Sequence, residues 1–296
     1  MLDFRVNTFL EVCRHMNYTK AAETLHITQP AVSQHIHFLE EHYRVKLFSF
    51  QGKKMFLTEA GKVLLKAVTT MKHDQIYLME KLQAIETHHP TLTFGATLTV
   101  GAFVMPDYLV HYRKKHPETN IKMIVSNTHD LLDKITSGDI DFAIIEGYFD
   151  KDEYDYLTYS IEKYIAVCKA GYQFAIGREP LCIADLLEEP LILREPGSGT
   201  REVLEKALDE RNLSLDEFHH TTEVGSISAL KSLILNGLGI TFLYHAAVAN
   251  ELKEGSLREI PLSDCQICHN FSFIWRRDSI FSRQYQEIFH DLCECR

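Results

Sequence analysis

Apolar and polar positions across residues 17–39 predict two short helices joined by a tight turn. The apolar residues fall at helical offsets that would close a small core between crossing helices: Ala22, Leu25, Ile27, Val32, Ile36 and Leu39. The opposite face of the second helix is polar at Pro30, Ser33, Gln34 and His37. Thr28 is expected to cap this helix, with Pro30 in its first turn. The alternative is an ordinary helical hairpin with a solvated polar face.

A hairpin of two short strands is predicted next, at residues 47–50 and 55–58, around a turn that contains Lys53 and Lys54. A basic hairpin that follows a polar helix is typical of a winged helix. In that fold the helix enters the major groove of DNA and the wing reaches the backbone or the minor groove. The pattern therefore predicts double-stranded DNA as a partner.

A long helix without proline is predicted over residues 59–87. Its apolar positions are spaced alternately four and three residues apart, with one polar interruption: Leu64, Val68, Met71, Gln75, Leu78, Leu82 and Ile85. Three heptads of this kind favour packing along a partner helix, and hence a homodimer or a homotetramer. The alternative is a helix that packs on its own domain.

After Pro90, strands and helices alternate in two series. The first has strands at residues 91–96, 120–126 and 141–145 and helices at 105–116 and 130–137. The second has strands at 163–167, 191–193, 220–224 and 239–243 and helices at 200–213 and 226–235. A strand at 271–275 and a helix at 279–294 are expected to return to the first unit. The pattern predicts an α/β fold with two Rossmann-like lobes and a cleft between them.

Charge is distributed unevenly along this chain of 296 residues and net charge −10. Residues 1–62 carry a net charge of +2, and the remainder carries −12. An acidic body attached to a mildly basic head should limit non-specific DNA binding and make dimerisation more important.

The N-terminus lacks the pattern of a signal peptide, and the uncharged run 232–250 is interrupted by polar residues and glycines. We therefore expect a cytoplasmic protein without a membrane segment.

Several short motifs occur in fixed order within the first 65 residues. They are an Ala-Ala pair at 21–22, Gln-Pro-Ala-Val-Ser at 29–33, Leu-Glu at 39–40, Leu-Phe at 47–48 and Leu-Thr-Glu-Ala-Gly at 57–61. Through them the segment resembles the DNA-binding domain of LysR-type transcriptional regulators. Residues 138–144 match that family's Gly-x-x-Asp-x-Ala-Ile run. One departure is Phe50, which stands where the family usually has Arg, so that a phosphate contact is lost or is provided by Lys53 or Lys54.

The resemblance implies a winged helix-turn-helix at residues 1–58, a dimerising linker helix at 59–89 and an effector-binding domain at 90–296. The effector domain would resemble periplasmic binding proteins, with lobe I at about 90–160 and 265–296 and lobe II at about 161–264. The polar face and the family's contact positions together assign DNA binding to Thr19, Lys20, Thr28, Gln29, Pro30, Ser33, Gln34, His37, Lys53 and Lys54.

Ligands of open α/β sheets bind at the carboxyl ends of the strands. The residues expected there are Thr97, Leu98, Thr99, Val100, Asn127, Glu146, Gly147, Arg194, Gly197, Ser198, Gly199, Thr200, Arg201, Ser226 and Ile227. Glycines, hydroxyls and arginines at 194–201 predict a site for a small anion at a helix start. The alternative is a glycine-rich helix start whose arginines pair with Glu195 or Glu202. The run also resembles a branch of the family that is linked to sulfur metabolism, whose effectors include small oxyanions.

Two pairs of cysteines leave a further alternative open: Cys265 with Cys268, and Cys293 with Cys295. Their spacing would suit a zinc site or a dithiol switch, but reduced thiols explain it better, because Cys-x-x-Cys is a weak signal without a second pair at a known spacing. No cofactor or metal is expected, and the motifs of common hydrolases are not found.

We therefore expect a non-enzymatic, effector-controlled transcriptional regulator, for which contact with RNA polymerase is a compatible further interaction. The alternative of another class is a two-lobed enzyme or binding protein with a DNA-binding appendage.

Overall fold

A computed structural model describes residues 2–52, 54–87 and 89–293 of the chain. The first helices of the head are α1 (Phe4–His15), α2 (Tyr18–Leu25) and α3 (Gln29–Tyr43). A hairpin of β1 (Phe48–Gln51) and β2 (Lys54–Leu57) follows, and then the long helix α4 (Glu59–Thr87). The predicted order of helix, turn, helix and wing is confirmed.

The core of the head is built by the helical offsets that the sequence indicated. Ala22, Val32, Ile36 and Leu39 are buried in one cluster with residues of α1 and the wing. Two expectations need correction, because Leu25 is only half-buried and Ile27 is 37% exposed. Ile27 lies in the turn between α2 and α3, where its side chain remains accessible to solvent.

The first series of the body contains β3 (Thr91–Thr97), α5 (Leu98–Phe103), α6 (Met105–Lys115), β4 (Asn120–Ser126), α7 (Thr128–Ser137) and β5 (Phe142–Ile145). Strand β3 pairs in parallel with both β4 and β5. Gly138 ends α7 at φ 85°, a left-handed conformation that glycine adopts without strain. Helix α5 was not predicted from the sequence.

The second series contains β6 (Tyr154–Lys169), β7 (Leu191–Leu193), α8 (Gly199–Asp209), β8 (Thr221–Glu223), α9 (Ile227–Leu235), β9 (Ile240–Tyr244), α10 (His245–Glu254) and β10 (Leu257–Glu259). Short 3₁₀ turns lie at Ile183–Leu186 and Leu215–Glu217. The chain ends with β11 (Ile267–Arg276) and α11 (Ser282–Cys293). The expectation that β6 begins near residue 163 was wrong, since the strand begins at Tyr154.

Two long antiparallel strands join the parallel units into one sheet. The strand order is β4-β3-β5-β11-β6-β9-β7-β8, with β10 paired to β6. Strand β11 pairs with β5 along its second half and with β6 along its whole length, with a register shift between Phe271 and Ser272. Each unit has its own buried cluster in addition to the shared core, so the body has two lobes. Among the described residues, none of the helices combines the length and the apolar character that crossing a membrane requires.

Candidate functional sites

The polar face of α3 is exposed along its length. Thr28 caps the helix, because its hydroxyl accepts a 3.3 Å hydrogen bond from the Ala31 N–H. The side chains of this face are all exposed: Gln29, Pro30, Ser33, Gln34 and His37. His37 lies 3.1 Å from the carboxylate of Glu41, one turn further along the helix. The face is therefore free to meet the edges of base pairs.

The other predicted DNA-contacting residues lie on α2 and in the wing. Thr19 and Lys20 are exposed at the start of α2, where their backbone N–H groups donate to the Asn17 side chain. Lys54 is exposed at the start of β2, whereas Lys53 lies outside the described residues. Phe50 is 59% exposed on β1, so the wing presents an aromatic ring where the resemblance leads us to expect a guanidinium.

The predicted apolar seam of α4 divides into three parts. Leu64 and Val68 pack in the core of the head, and the Gln75 side chain accepts a hydrogen bond from the Leu2 N–H at 3.0 Å. The remaining four side chains are exposed within the single chain: Met71, Leu78, Leu82 and Ile85. The continuous seam is thus wrong at its first two positions, because these two residues are used within the chain.

A second face of α4 packs on the body, as the alternative interpretation of this helix expected. Asp74 accepts hydrogen bonds from the Ser279 hydroxyl at 2.5 Å and from the Ile280 N–H at 3.0 Å. Tyr77 donates to Gln284 at 3.2 Å, and a His73 ring nitrogen lies 3.3 Å from the Ile140 carbonyl. Helix α4 is therefore attached to the body through buried and half-buried polar contacts.

A cluster of buried polar side chains lies between the two lobes. The first lobe contributes the ends of β3 and β5, and the second contributes the end of β7 and the start of α8. Six buried polar atoms of this region have no hydrogen-bond partner among the described residues: Thr97 Oγ1, Thr99 Oγ1, Thr128 Oγ1, Glu146 Oε2, Arg194 Nη1 and Ser198 Oγ. Because buried polar groups are normally paired, this cluster is the strongest candidate for a ligand site.

The lobes are in direct contact at this cluster. A Cβ atom on Gly199 would lie 2.5 Å from the backbone nitrogen of Gly147, so this approach requires glycine. Gly197 adopts φ 82°, and its carbonyl accepts a 3.5 Å hydrogen bond from the His129 N–H. The Thr200 hydroxyl donates to Glu146 at 2.7 Å. The described conformation is therefore closed.

Both arginines of the glycine-rich run are paired with carboxylates. Arg194 Nε and Nη2 each donate to Glu195 at 2.8 Å. Arg201 pairs with Glu205 at 2.7 Å and with Glu223 at 2.8 Å. The alternative of paired arginines therefore holds for Arg194, whereas Glu202 accepts from the Tyr148 N–H instead. Because Arg201 is paired with exposed carboxylates, it is not available to a ligand in the cluster. Arg194 Nη1 has no hydrogen-bond partner among the described residues, so it is the guanidinium nitrogen that could bind one.

Other residues predicted for the cleft have structural roles. Val100 and Ile227 are buried, and Leu98 is half-buried at the start of α5. Asn127 caps α7 by accepting from the Asp130 N–H at 2.9 Å. Ser226 is exposed and caps α9, because its hydroxyl accepts from the Ala229 N–H at 3.4 Å. Ser226 is therefore not part of the buried cluster.

Sequence analysis missed four residues that surround the cluster: Thr128, Tyr164, Tyr244 and His269. Tyr164 donates to the Thr200 carbonyl at 2.7 Å, and Tyr244 donates to the Glu146 carbonyl at 3.2 Å. The Tyr244 hydroxyl also lies 3.2 Å from His269 Nδ1. Thr128 was signalled by its neighbour Asn127, whereas the other three come from strands whose pattern is simply that of a buried sheet.

The cysteine hypothesis finds little support in the local chemistry. Burial raises the pKa of the Cys265 thiol to about 11, so the reactive thiolate is scarce at neutral pH. Cys268 is exposed on β11, and Cys295 lies outside the described residues. Within the described ranges, no group of three or more His, Cys, Asp or Glu side chains is arranged to hold a metal ion.

Two family models match the chain. A model described as a bacterial regulatory helix-turn-helix protein of the LysR family matches residues 5–62. A second, described as a LysR substrate binding domain, matches residues 86–292 and thus more than half of the chain.

Individual relatives agree with these models. The HTH-type transcriptional regulator CysL of Bacillus subtilis is 27% identical over 274 residues, which cover 91% of this chain and 89% of CysL. Full-length LysG from Corynebacterium glutamicum, solved with bound effector Arg, has a TM-score of 0.63 at 18% identity and covers 99% of both chains. The CcmR regulatory domain of Synechocystis, solved with 2-PG, has a TM-score of 0.61 at 20% identity, covering 69% of this chain and 96% of CcmR.

Proposed function

Since the chain belongs to the LysR family of transcriptional regulators, we propose that it binds a specific DNA site under the control of a small anionic effector held between its lobes. Relatives solved with Arg and with 2-PG support a small-molecule effector. The observation that carries the proposal is the set of unpartnered, buried polar atoms at the contact between the lobes. These atoms gain partners if a ligand enters when the lobes open.

DNA recognition is assigned to the exposed face of α3. Gln29, Pro30, Ser33 and Gln34 would meet base edges, because short, uncharged polar side chains suit the donor and acceptor pattern of the major groove. Thr19, Lys20, Thr28, His37, Lys53 and Lys54 would support this helix from the DNA backbone, since hydroxyls and cations suit phosphate oxygens.

Assembly is assigned to the four exposed apolar residues of α4, Met71, Leu78, Leu82 and Ile85. An exposed apolar stripe on a 29-residue helix is costly in water and gains stability by packing on a second copy. A second face of α4, next to this stripe, is attached to the body. Lobe closure is therefore able to change the orientation of α4, and with it the spacing of two DNA-binding heads.

Members of the family are transcriptional regulators, and catalysis is not part of the proposal. In this proposal the DNA-binding domain ends near residue 58 and the linker helix ends near residue 89. The protein would act in the cytoplasm, where it could also contact RNA polymerase. A thiol-based switch is less well supported, because the raised pKa of Cys265 disfavours the thiolate.

The test uses the full-length protein and DNA from upstream of its own gene. Footprinting first defines the protected site, and small anions are then titrated to find those that alter protection. Calorimetry with an active anion is repeated on Ser198→Glu, which places a second negative charge in the cluster, and on Ser198→Ala as a matched control. We expect Ser198→Glu to lose at least about a hundredfold in affinity, and Ser198→Ala to lose much less. Unchanged affinity in a folded Ser198→Glu variant would place the effector site elsewhere.

A further inference from the structure

Glu146 places a buried carboxylate inside a site whose other side chains can donate hydrogen bonds. It directly follows β5, and its side chain is almost fully buried. Oε1 accepts from the Thr200 hydroxyl at 2.7 Å. Oε2 has no hydrogen bond of normal geometry among the described residues, although the Thr99 and Thr97 hydroxyls lie near the carboxyl. A carboxyl oxygen accepts hydrogen bonds when ionised and donates one only when it carries a proton. A ligand atom that contacts Oε2 must therefore donate a hydrogen bond if Glu146 is ionised, and accept one if Glu146 is protonated.

The nearby arginines are already paired with other carboxylates, so their charge offsets that of Glu146 only in part. Arg194 is bound through two nitrogens to Glu195, and Arg201 is paired with both Glu205 and Glu223. An ionised Glu146 facing an oxyanion would therefore bring two negative charges together in a buried site. Such like-charge contact is strongly unfavourable unless a proton lies between the two groups.

None of the titratable groups around Glu146 is as well placed as Glu146 itself to take up that proton. Burial raises the pKa of both Tyr164 and Tyr244 well above the usual value, so both hydroxyls remain neutral donors. Burial, and to a lesser extent the charge of Lys206, lowers the pKa of His269. Glu202 is bound to a backbone N–H.

The pKa of Glu146 itself is raised by burial. The hydrogen bond from Thr200, the nearby Thr99 hydroxyl, the charge of Arg194 and the nearby Thr97 hydroxyl offset only part of this effect. The protonated form is therefore accessible nearer to neutral pH than for a glutamate in water.

Building on the proposed inter-lobe effector site, we propose that Glu146 admits an oxyanion only together with one proton, held between Oε2 and the bound anion. The proton has two sources. An anion such as hydrogen phosphate brings its own proton and donates it in a hydrogen bond to the ionised carboxylate. A fully ionised anion such as sulfate requires Glu146 to take a proton from solvent, and the neutral carboxyl then donates to the anion. With hydrogen phosphate no covalent bond changes, since its O–H group only donates a hydrogen bond. With sulfate an O–H bond forms on Oε2 while one breaks in a hydronium ion or a buffer acid, which supplies the proton.

Calorimetric titration of the full-length protein with sulfate and with inorganic phosphate separates the two sources. Between about pH 6 and about pH 9, the affinity for sulfate should fall by up to about tenfold per pH unit once Glu146 is ionised in the free protein. The affinity for phosphate should change less over the same range, because phosphate retains a proton throughout. Two buffers with different ionisation enthalpies should reveal the uptake of one proton with sulfate and of less with phosphate.

Glu146→Gln tests the residue directly, because an amide both donates and accepts without a change in charge. In this variant sulfate affinity should become independent of pH and approach the affinity for phosphate. Glu210→Gln, an exposed carboxylate on the second lobe, is the control and should keep the wild-type dependence. His269 borders the cluster through Tyr244, so His269→Asn is a second test and not a control: whatever its affinity for sulfate, the slope of that affinity with pH should equal the wild-type slope. If Glu146→Gln does not fold, the pH and buffer dependence of the wild type decides the question.

Each outcome has a definite meaning. Sulfate binding by the wild type that is independent of pH, without proton uptake and equal to that of Glu146→Gln, would overturn the role of Glu146 while leaving the effector site intact. Loss of the pH dependence in His269→Asn would also overturn it, since the proton would then belong to His269. If neither anion binds to the wild type or to Glu146→Gln, this inference is wrong, whereas the anionic effector of the proposed function is decided separately by the titration of small anions against the DNA footprint.

Discussion

The head and the body of this chain use polar side chains in opposite ways. In the head, the candidate DNA-contacting residues are exposed along one face of α3, as Ser33 and Gln34 illustrate. In the body, the candidate effector-binding side chains are buried, and Glu146 and Ser198 come from different lobes. An exposed face acts on a partner outside the chain. In a buried cluster, the hydrogen bonds and charges of the side chains affect the stability of the folded chain and the contact between its lobes.

The comparison predicts where the effect of a substitution should appear. Changes on exposed surfaces of the head and linker should alter assembly or DNA binding and leave the stability of the single chain almost unchanged. Changes at buried polar groups of the body should alter stability and its dependence on pH, because burial shifts the pKa of such groups.

The largest effect is expected from Leu78→Asp combined with Leu82→Asp on the exposed face of α4. Both side chains are about half exposed in the single chain, so the chain should still fold. In a dimer the substitutions would bury like charges in an apolar contact, at a cost on the order of 5 kcal/mol or more. Sedimentation should show monomers, and affinity for the specific DNA site should fall steeply.

The matched control combines Leu181→Asp with Ile161→Asp, which adds the same two charges at exposed apolar residues away from α4. This control should remain oligomeric. An intact dimer of the Leu78 and Leu82 variant would instead place the interface elsewhere, and a loss of chain stability would break the proposed division between head and body.

The second effect concerns Asp141, which is buried where α4 packs on the body. Burial and the charge of Glu80 raise its pKa to about 7, against which His73, a backbone hydrogen bond from Thr93 and Lys81 act only in part. The unfolded chain loses this proton near pH 4, whereas the folded chain keeps it until about pH 7. Raising the pH through this window therefore favours unfolding, by up to about 4 kcal/mol.

Asp141→Asn should remove this dependence, since the amide stays neutral and can still accept the backbone hydrogen bond. Urea unfolding between about pH 4 and about pH 8 should show the variant gaining stability over the wild type as the pH rises. Asp139→Asn is the control, because Asp139 is exposed and bound to the Ser137 hydroxyl at 2.8 Å. Parallel curves for wild type and Asp141→Asn would show that Asp141 is ionised in the folded protein.

Local patterns predicted the elements of the fold well. Helix α3 with its Thr28 cap, the wing, strand β4 and the Gly138 stop are all confirmed, because each depends on residues close together in the sequence. The first half of β6 escaped prediction, since its alternation of polar and apolar residues is interrupted by Tyr159 and Ser160, both of which are buried.

The candidate site was predicted only in part, because its environment depends on contacts between distant segments. The glycine-rich run was found from its composition, but the pairing of Arg201 with Glu223 depends on how α8 lies beside β8. Tyr244 and His269 reach the cluster from strands β9 and β11, and neither strand pattern distinguishes them from core residues. Leu64 likewise fits a heptad seam in sequence, yet it packs in the head because α4 continues directly from the wing.

The smallest effect is expected at α3, where Gln34→Ala should weaken binding to the specific site by about 1–3 kcal/mol and binding to random DNA far less. The stability of the folded chain should not change, since Gln34 is exposed.

Phe50→Arg is the complementary variant. Phe50 is also exposed, and an added cation at the wing should strengthen binding to both kinds of DNA and increase the salt dependence by about one phosphate contact. Fluorescence anisotropy over a range of salt concentrations measures both effects. Equal losses on specific and random DNA for Gln34→Ala would mean that this side chain contacts the backbone, and that the exposed face of α3 does not read bases at this position.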